Sequence, residues 1–300
     1  MQEVKEGGYL SRPLQVLSAV KEPFAVSLVA TLLPVLAVIV VVVPTAIIGV
    51  VVALGAGPSG VIGVFLLSLA AALAALVLSA AVAMGGLARS VLEAVEGWSS
   101  GVIEPFKEAW GMKGRLVLLL IAQVLIYLVV IAAVMAPVIP TLLGLARGLA
   151  SAPPEEIIAR VYPLLIPVLL ANAALKLLLD PAYLFAVGDG RDVGGSLRRS
   201  FETALRMAEA DPLAVVAYFA AFLFPEALFY LAPEAFLANP GASNLFSIAV
   251  WAKNVAVEPF FLAAAALAAR DSGLLQGGLV RPRRAPAPWE GAEEVAGGVG

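Results

Sequence analysis

Six apolar runs, each as long as a bilayer-crossing helix, constrain this chain more than any other feature. They cover roughly residues 24–53, 61–85, 116–143, 162–187, 212–231 and 245–269. A helix needs about 20 residues to cross a hydrocarbon core. Lipid offers backbone polar groups no partner, so runs of this length read as helices and not as barrel strands. Composition agrees. Hydrophobic residues make up 61% of the chain, charged residues 14%, and mean hydropathy is +0.98. Soluble domains run nearer half apolar and a quarter charged, so too little polar surface exists here to cover a water-soluble fold. The expected fold class is all-α: a polytopic membrane bundle of six transmembrane helices. The first 22 residues are mixed and charged, and the first apolar run is too long for a signal h-region, so no cleavable leader is expected.

Lysine and arginine set the expected orientation. Lys5, Arg12 and Lys21 precede the first span. Arg89, Lys107, Lys113 and Arg115 lie between the second and third. Arg191, Arg198, Arg199 and Arg206 lie between the fourth and fifth, and Arg270, Arg281, Arg283 and Arg284 follow the sixth. These alternate segments hold fifteen basic residues; the opposite side holds only Arg147 and Arg160. Both termini are therefore expected to face the cytoplasm, in a multi-pass protein of the cell membrane.

The basic segments also resemble one another. Phe106-Lys-Glu-Ala-Trp-Gly-Met112 aligns with Phe201-Glu-Thr-Ala-Leu-Arg-Met207 at an offset of 95 residues. Gly7-Gly8-Tyr-Leu-Ser-Arg12 resembles Gly194-Gly195-Ser-Leu-Arg-Arg199, and Pro23-Phe-Ala-Val26 resembles Pro212-Leu-Ala-Val215. The pattern predicts three repeats, near 7–90, 97–187 and 192–272, within one membrane domain spanning 1–272. Each would be an amphipathic segment followed by two spans. Convergence of three loops that face one leaflet would give a similar pattern. An even number of spans per unit keeps the units in one orientation, related by an axis along the membrane normal.

Helical periodicity places Leu14 on the apolar face of the first segment, Phe106 and Trp110 on that of the second, and Leu197 and Phe201 on that of the third. Such helices lie at headgroup level with that face toward the lipid. They could brace the bundle, or dock a cytoplasmic protein partner, or deform one leaflet. Residues 273–300, with Arg281-Pro-Arg-Arg284 and Ala-Pro-Ala-Pro288, read as a disordered cytoplasmic tail.

Polar residues inside the runs mark the candidate site: Gln123, Asn172, Lys176, Asp180, Glu226, Lys253, Asn254 and Glu258. Ionisable groups in a bilayer need a partner or a cavity. At a rise of about 1.5 Å per residue, Glu226 and Lys253 fall at one level, and Lys176 and Glu258 at another. Two pairs follow, Glu226 with Lys253 and Lys176 with Glu258. Asp180, one turn from Lys176, is an alternative partner for the lysine. Prolines adjoin the acids at Asp180-Pro181, Pro225-Glu226 and Glu258-Pro259 and can free backbone carbonyls. Two readings stay open: neutralised pairs that set helix register, or a pocket for a solute, ion or lipid headgroup.

Catalytic chemistry is not indicated. With neither Cys nor His, thiol and imidazole mechanisms and Cys/His metal sites are excluded. No Walker loop, HExxH or nucleophile elbow occurs, so no catalytic residue, metal ligand or cofactor is expected. Gly55-Ala-Gly57-Pro-Ser-Gly60 reads as a turn, and Gly188-Asp-Gly190-Arg-Asp192 as a helix stop and restart. A formal charge of −3 argues against nucleic acid as a partner. Low Asn and Gln, absent Cys and an excess of Arg over Lys suit a thermophile.

An acidic turn, then Gly195-Ser-Leu-Arg-Arg-Ser-Phe201, a span, and a last span with Glu258-Pro259-Phe260 closing on Arg270-Asp271 form a combined pattern. It resembles the six-helix membrane domain that accompanies some glycerophosphodiester phosphodiesterases, and related prokaryotic membrane proteins. The resemblance is best over 160–272. It implies the architecture alone, because in fused members the phosphodiesterase chemistry belongs to a separate soluble domain. The leading functional expectation is a non-enzymatic module that organises lipid or docks a partner through three surface helices. The alternative is a small-solute or ion transporter or channel built on Lys176, Asp180 and Glu258.

Overall fold

The computed structural model describes residues 8–141, 143–144, 154–231 and 240–275; the side chains of 50, 53–54, 56–59, 61, 154–162, 165, 225–231, 240–247 and 254 are outside this description. The described residues form helices and turns only. The main elements are α1 (Ser11–Ala19), α2 (Glu22–Val95), α3 (Glu104–Gly111), α4 (Lys113–Met135), α5 (Pro154–Leu179), α6 (Ala182–Gly188), α7 (Val193–Ala210), α8 (Pro212–Leu231) and α9 (Pro240–Asp271). Five segments are long and apolar enough to cross a membrane: Glu22–Gly49, Ile62–Val95, Lys113–Met135, Ile166–Gly188 and Ile248–Asp271. A sixth arises if α7 and α8, bent by 117° at Asp211, count as one broken span. The architecture fits an integral membrane protein.

The first two expected spans are one helical run of 74 residues. Drawn straight it would reach about 110 Å, far beyond a bilayer. It does not run straight. A Cβ on Gly49 would lie 3.1 Å from the Val64 side chain. Leu33, Ala37 and Val41 also share one apolar groove with Ala75, Leu78 and Val82. The run is therefore a hairpin that reverses between 49 and 64. Gly55–Gly60, expected as a turn, lies where the chain reverses, with its backbone still helical. The remaining boundaries also shift: the third span stops at Met135, the fourth starts at Pro154 and the sixth at Pro240.

One end of the bundle is tied together by polar contacts between distant segments. Arg12 pairs with Asp271 at 2.5 Å, the Tyr9 amide donates to Asp211, Arg270 donates to the Val95 carbonyl, and Arg115 donates to the Ala186 carbonyl. The three short helices α1, α3 and α7 sit at this end. Glycine makes room for one of them. A Cβ on Gly86 would lie 2.6 Å from the Phe106 ring, and one on Gly85 would collide with Leu116. This pair lets α3 and the start of α4 lie directly on the α2 backbone. Residues 273–275, expected to begin a disordered tail, pack instead: Gly273 takes a positive φ of 67°, the Leu274 amide returns to the Ala269 carbonyl, and Leu275 is buried in the core. Residues 276–300 lie outside the described residues.

Candidate functional site: a charged cluster and three surface helices

α5 ends where Asp180-Pro181 interrupts it. Proline has no amide to donate, so the last carbonyls of α5 need other partners. Gln123 of α4 donates to the Leu179 carbonyl at 2.7 Å, and Ser200 of α7 donates to the Leu178 carbonyl at 2.6 Å. Gln123, expected near the level of the charged residues, thus serves the helix break. The break places Asp180 and Tyr183 in the interior and lets α6 continue with every residue from Ala182 to Val187 buried.

Beside the break stands the charged cluster. Lys176 Nζ lies 3.6 Å from Glu258 Oε1 on α9 and 3.7 Å from Asp180 Oδ2. Both pairings proposed for Lys176 are therefore present at once, and one lysine serves two carboxylates. The ammonium also sits 5.4 Å from the centre of the Phe222 ring of α8, within cation–π range. Asp180 Oδ2 and the Tyr183 hydroxyl are buried and have no hydrogen-bond partner. Asn172 is half-buried on α5, one turn before Lys176. Lys253 donates to the Phe222 carbonyl at 3.2 Å. The expected Glu226–Lys253 pair and any role of Asn254 rest on side chains outside the described residues.

The three surface helices share one plan, visible when residues are placed about 100° apart around each axis. On α7, Ser196, Ser200, Thr203 and Met207 form a buried strip against the bundle. Following the winding of the chain, the next strip is apolar and exposed, with Phe201 and Leu205. The third strip carries Arg198, Glu202 and Arg206. α3 repeats the order: Pro105 and Ala109 buried, Ile103 and Trp110 exposed, then Lys107 and Glu104. On α1 the buried residues Arg12, Pro13 and Leu17 spread over a broader sector of about 140°, followed by exposed Leu10 and Leu14, then Ser18 and Gln15. Of the five expected interfacial residues, Leu14, Trp110 and Phe201 are exposed. Phe106 and Leu197 are partly buried and pack on the core. The amphipathic pattern marks an apolar side but not which part of it a neighbouring helix covers.

Charged residues at this end form a second cluster that span-based reasoning passed over. Arg89 bonds Glu93 at 3.0 Å and Glu108 at 2.6 Å, and lies 5.9 Å from the centre of the Trp98 ring. Glu93 is almost fully buried and also accepts from the Ser100 amide and hydroxyl. Burial pushes the Glu108 carboxyl above its usual range, Arg89 pulling the other way and losing. Burial, then Asp271, likewise pushes the Tyr9 phenol up. The i,i+4 spacing of Arg89 and Glu93 was the available signal. Asp192 caps α7 by accepting from the Gly195 amide, so the acidic turn is a helix stop and restart, with Gly190 at φ 65°. Among the described residues no three Asp or Glu side chains converge as a metal site. Comparison with protein-family models, with curated proteins and with solved structures finds no match.

Proposed function

We propose that this protein is a lipid-organising module of the cell membrane, built from three units and acting through α1, α3 and α7. The observation that carries the reading is the exposed apolar strip on each of these helices, lying between a bundle-facing strip and a polar one. Such a helix rests at headgroup depth, its apolar strip among acyl chains. Trp110 suits that depth, and Lys113, 4.6 Å from the centre of its ring, would reach the phosphates. The common winding order of the strips supports a threefold repeat, because units related by rotation about the membrane normal must circulate in one sense. The element order short helix, long segment, long segment occurs three times and supports it further. With the arginine-rich side inward, these helices and both termini would face the cytoplasm, where a soluble partner protein could also dock.

The test is the phospholipid retained on the purified protein, measured by mass spectrometry. Combined Leu14→Ser, Trp110→Ser and Leu205→Ser substitutions should lower the lipid-to-protein ratio severalfold at an unchanged melting temperature. Equal retention would overturn the reading. The Lys176–Asp180–Glu258 cluster supports a second reading, an ion or small-solute pathway. Flux into liposomes that Glu258→Gln abolishes would favour it.

A further inference from the structure

The charged cluster holds an odd number of charges. Lys176 faces Asp180 and Glu258 at nearly equal distances, so with all three ionised the site carries one uncompensated negative charge within a span. In an apolar interior a charge without a partner is not sustained; the group neutralises instead. Among the described residues, Lys176 is the cation paired with these two carboxylates. α4 brings Tyr127 and the amide of Gln123, α6 brings Tyr183, and α8 brings the Phe222 ring. On α9, Lys253 is engaged with the Phe222 carbonyl. A metal ion is disfavoured because the ammonium already stands within 3.7 Å of both carboxylates. A proton has no such conflict. Asp180 is the carboxyl suited to carry it. More than nine-tenths of the residue is buried, and its Oδ2 lacks a hydrogen-bond partner. The Tyr183 hydroxyl, fully buried and also without a partner, lies on the adjoining turn. A buried carboxylate oxygen whose nearest cation stands 3.7 Å away, beyond hydrogen-bond reach, is costly, whereas a carboxylic acid can itself donate.

We propose that Lys176, Asp180 and Glu258 form a buried proton-binding site, with one proton on the Asp180 carboxyl and Glu258 ionised against Lys176. This rests on neither functional reading, since a scaffold and a pathway would each need the charge settled.

The test is infrared spectroscopy of the intact protein in lipid at neutral pH. The expected result is a carboxylic-acid carbonyl band that shifts when aspartate carboxyls are labelled with ¹³C and that disappears in Asp180→Asn. Glu258→Gln should also remove it, because Asp180 then ionises to balance Lys176. Lys176→Met should keep the aspartate band and add a glutamate one. Asp180→Asn replaces one neutral group by another, so it should keep the parent melting temperature. An absent band in the parent, or a band blind to the aspartate label, overturns the assignment. So does an aspartate band that survives Asp180→Asn. The parent and Asp180→Asn decide the matter even if Lys176→Met does not fold.

Discussion

Two apolar stretches meet opposite fates, and the more hydrophobic one is the less buried: the best windows of Glu22–Gly49 and Ile248–Asp271 have mean hydropathies of 3.0 and 1.3. In α2, Val35, Leu36, Ile39, Val40 and Val43 are exposed, and only 11% of the best apolar window of Glu22–Gly49 is buried by protein. In α9, every residue from Phe261 to Ala269 is buried. Across the spans, the windows of Ile62–Val95 and Lys113–Met135 are 6% and 11% buried, against 56% and 35% for Ile166–Gly188 and Ile248–Asp271. The more buried spans are also the less hydrophobic, at 1.5 and 1.3, and α9 carries the smaller side chains where it is packed. Lipid is as apolar as leucine, so hydrophobicity does not draw helices together in a bilayer, whereas small residues permit close backbone contact. Eight of the nine residues at 261–269 are alanine or leucine, in the order Leu262-Ala-Ala-Ala-Ala-Leu-Ala-Ala269 after Phe261, with alanine predominant. The outer arms of α2 are rich in branched Val, Ile and Leu.

Four substitutions sharpen or break this contrast. The largest effect is expected at the packed end. Arg89→Met would leave Glu93 buried without its ion partner, at a cost of about 3–5 kcal/mol, read as loss of stability against denaturant in detergent. Next comes Ala264→Leu, fully buried. Overpacking there should cost about 1–3 kcal/mol, and a tolerated leucine would show that α9 is not closely packed. Smaller is a pH effect at Glu108. Its carboxyl binds a proton more tightly when folded, so its contribution to stability falls as pH rises from its ordinary 4.5 through its raised value. Melting curves should therefore shift in favour of Glu108→Gln, relative to the parent, as pH rises through that window. A shift the other way would mean the Arg89 pair outweighs burial. The smallest effect belongs to the outer arm. Leu67→Ala, at a position 69% exposed, should change stability by less than about 0.5 kcal/mol. A larger loss would mean that another protein surface covers this arm.

Within the candidate site, what could be read beforehand was level rather than neighbourhood. Lys176 and Glu258 could be matched because rise per residue converts sequence position into depth. Depth leaves azimuth open, and so the simultaneous approach of Asp180, the Phe222 ring and Tyr183 needed the packed helices. Gln123 was expected near the same level, yet its task is at the Leu179 carbonyl, because the partner of a freed carbonyl depends on which helix lies alongside. Phe106 and Leu197 make the same point: periodicity marks an apolar side without saying which part of it a neighbouring helix covers.

The amino-acid order alone determined the all-helical class and the long apolar segments. These follow from local run length and periodicity, which each segment carries within itself. Only the tertiary structure decided that α2 folds back without leaving the helical state, that Gly85 and Gly86 admit α3, and that two carboxylates share a single lysine. Those outcomes depend on distances between residues far apart in the chain, set by side-chain volumes meeting across helix interfaces, and no single segment encodes them.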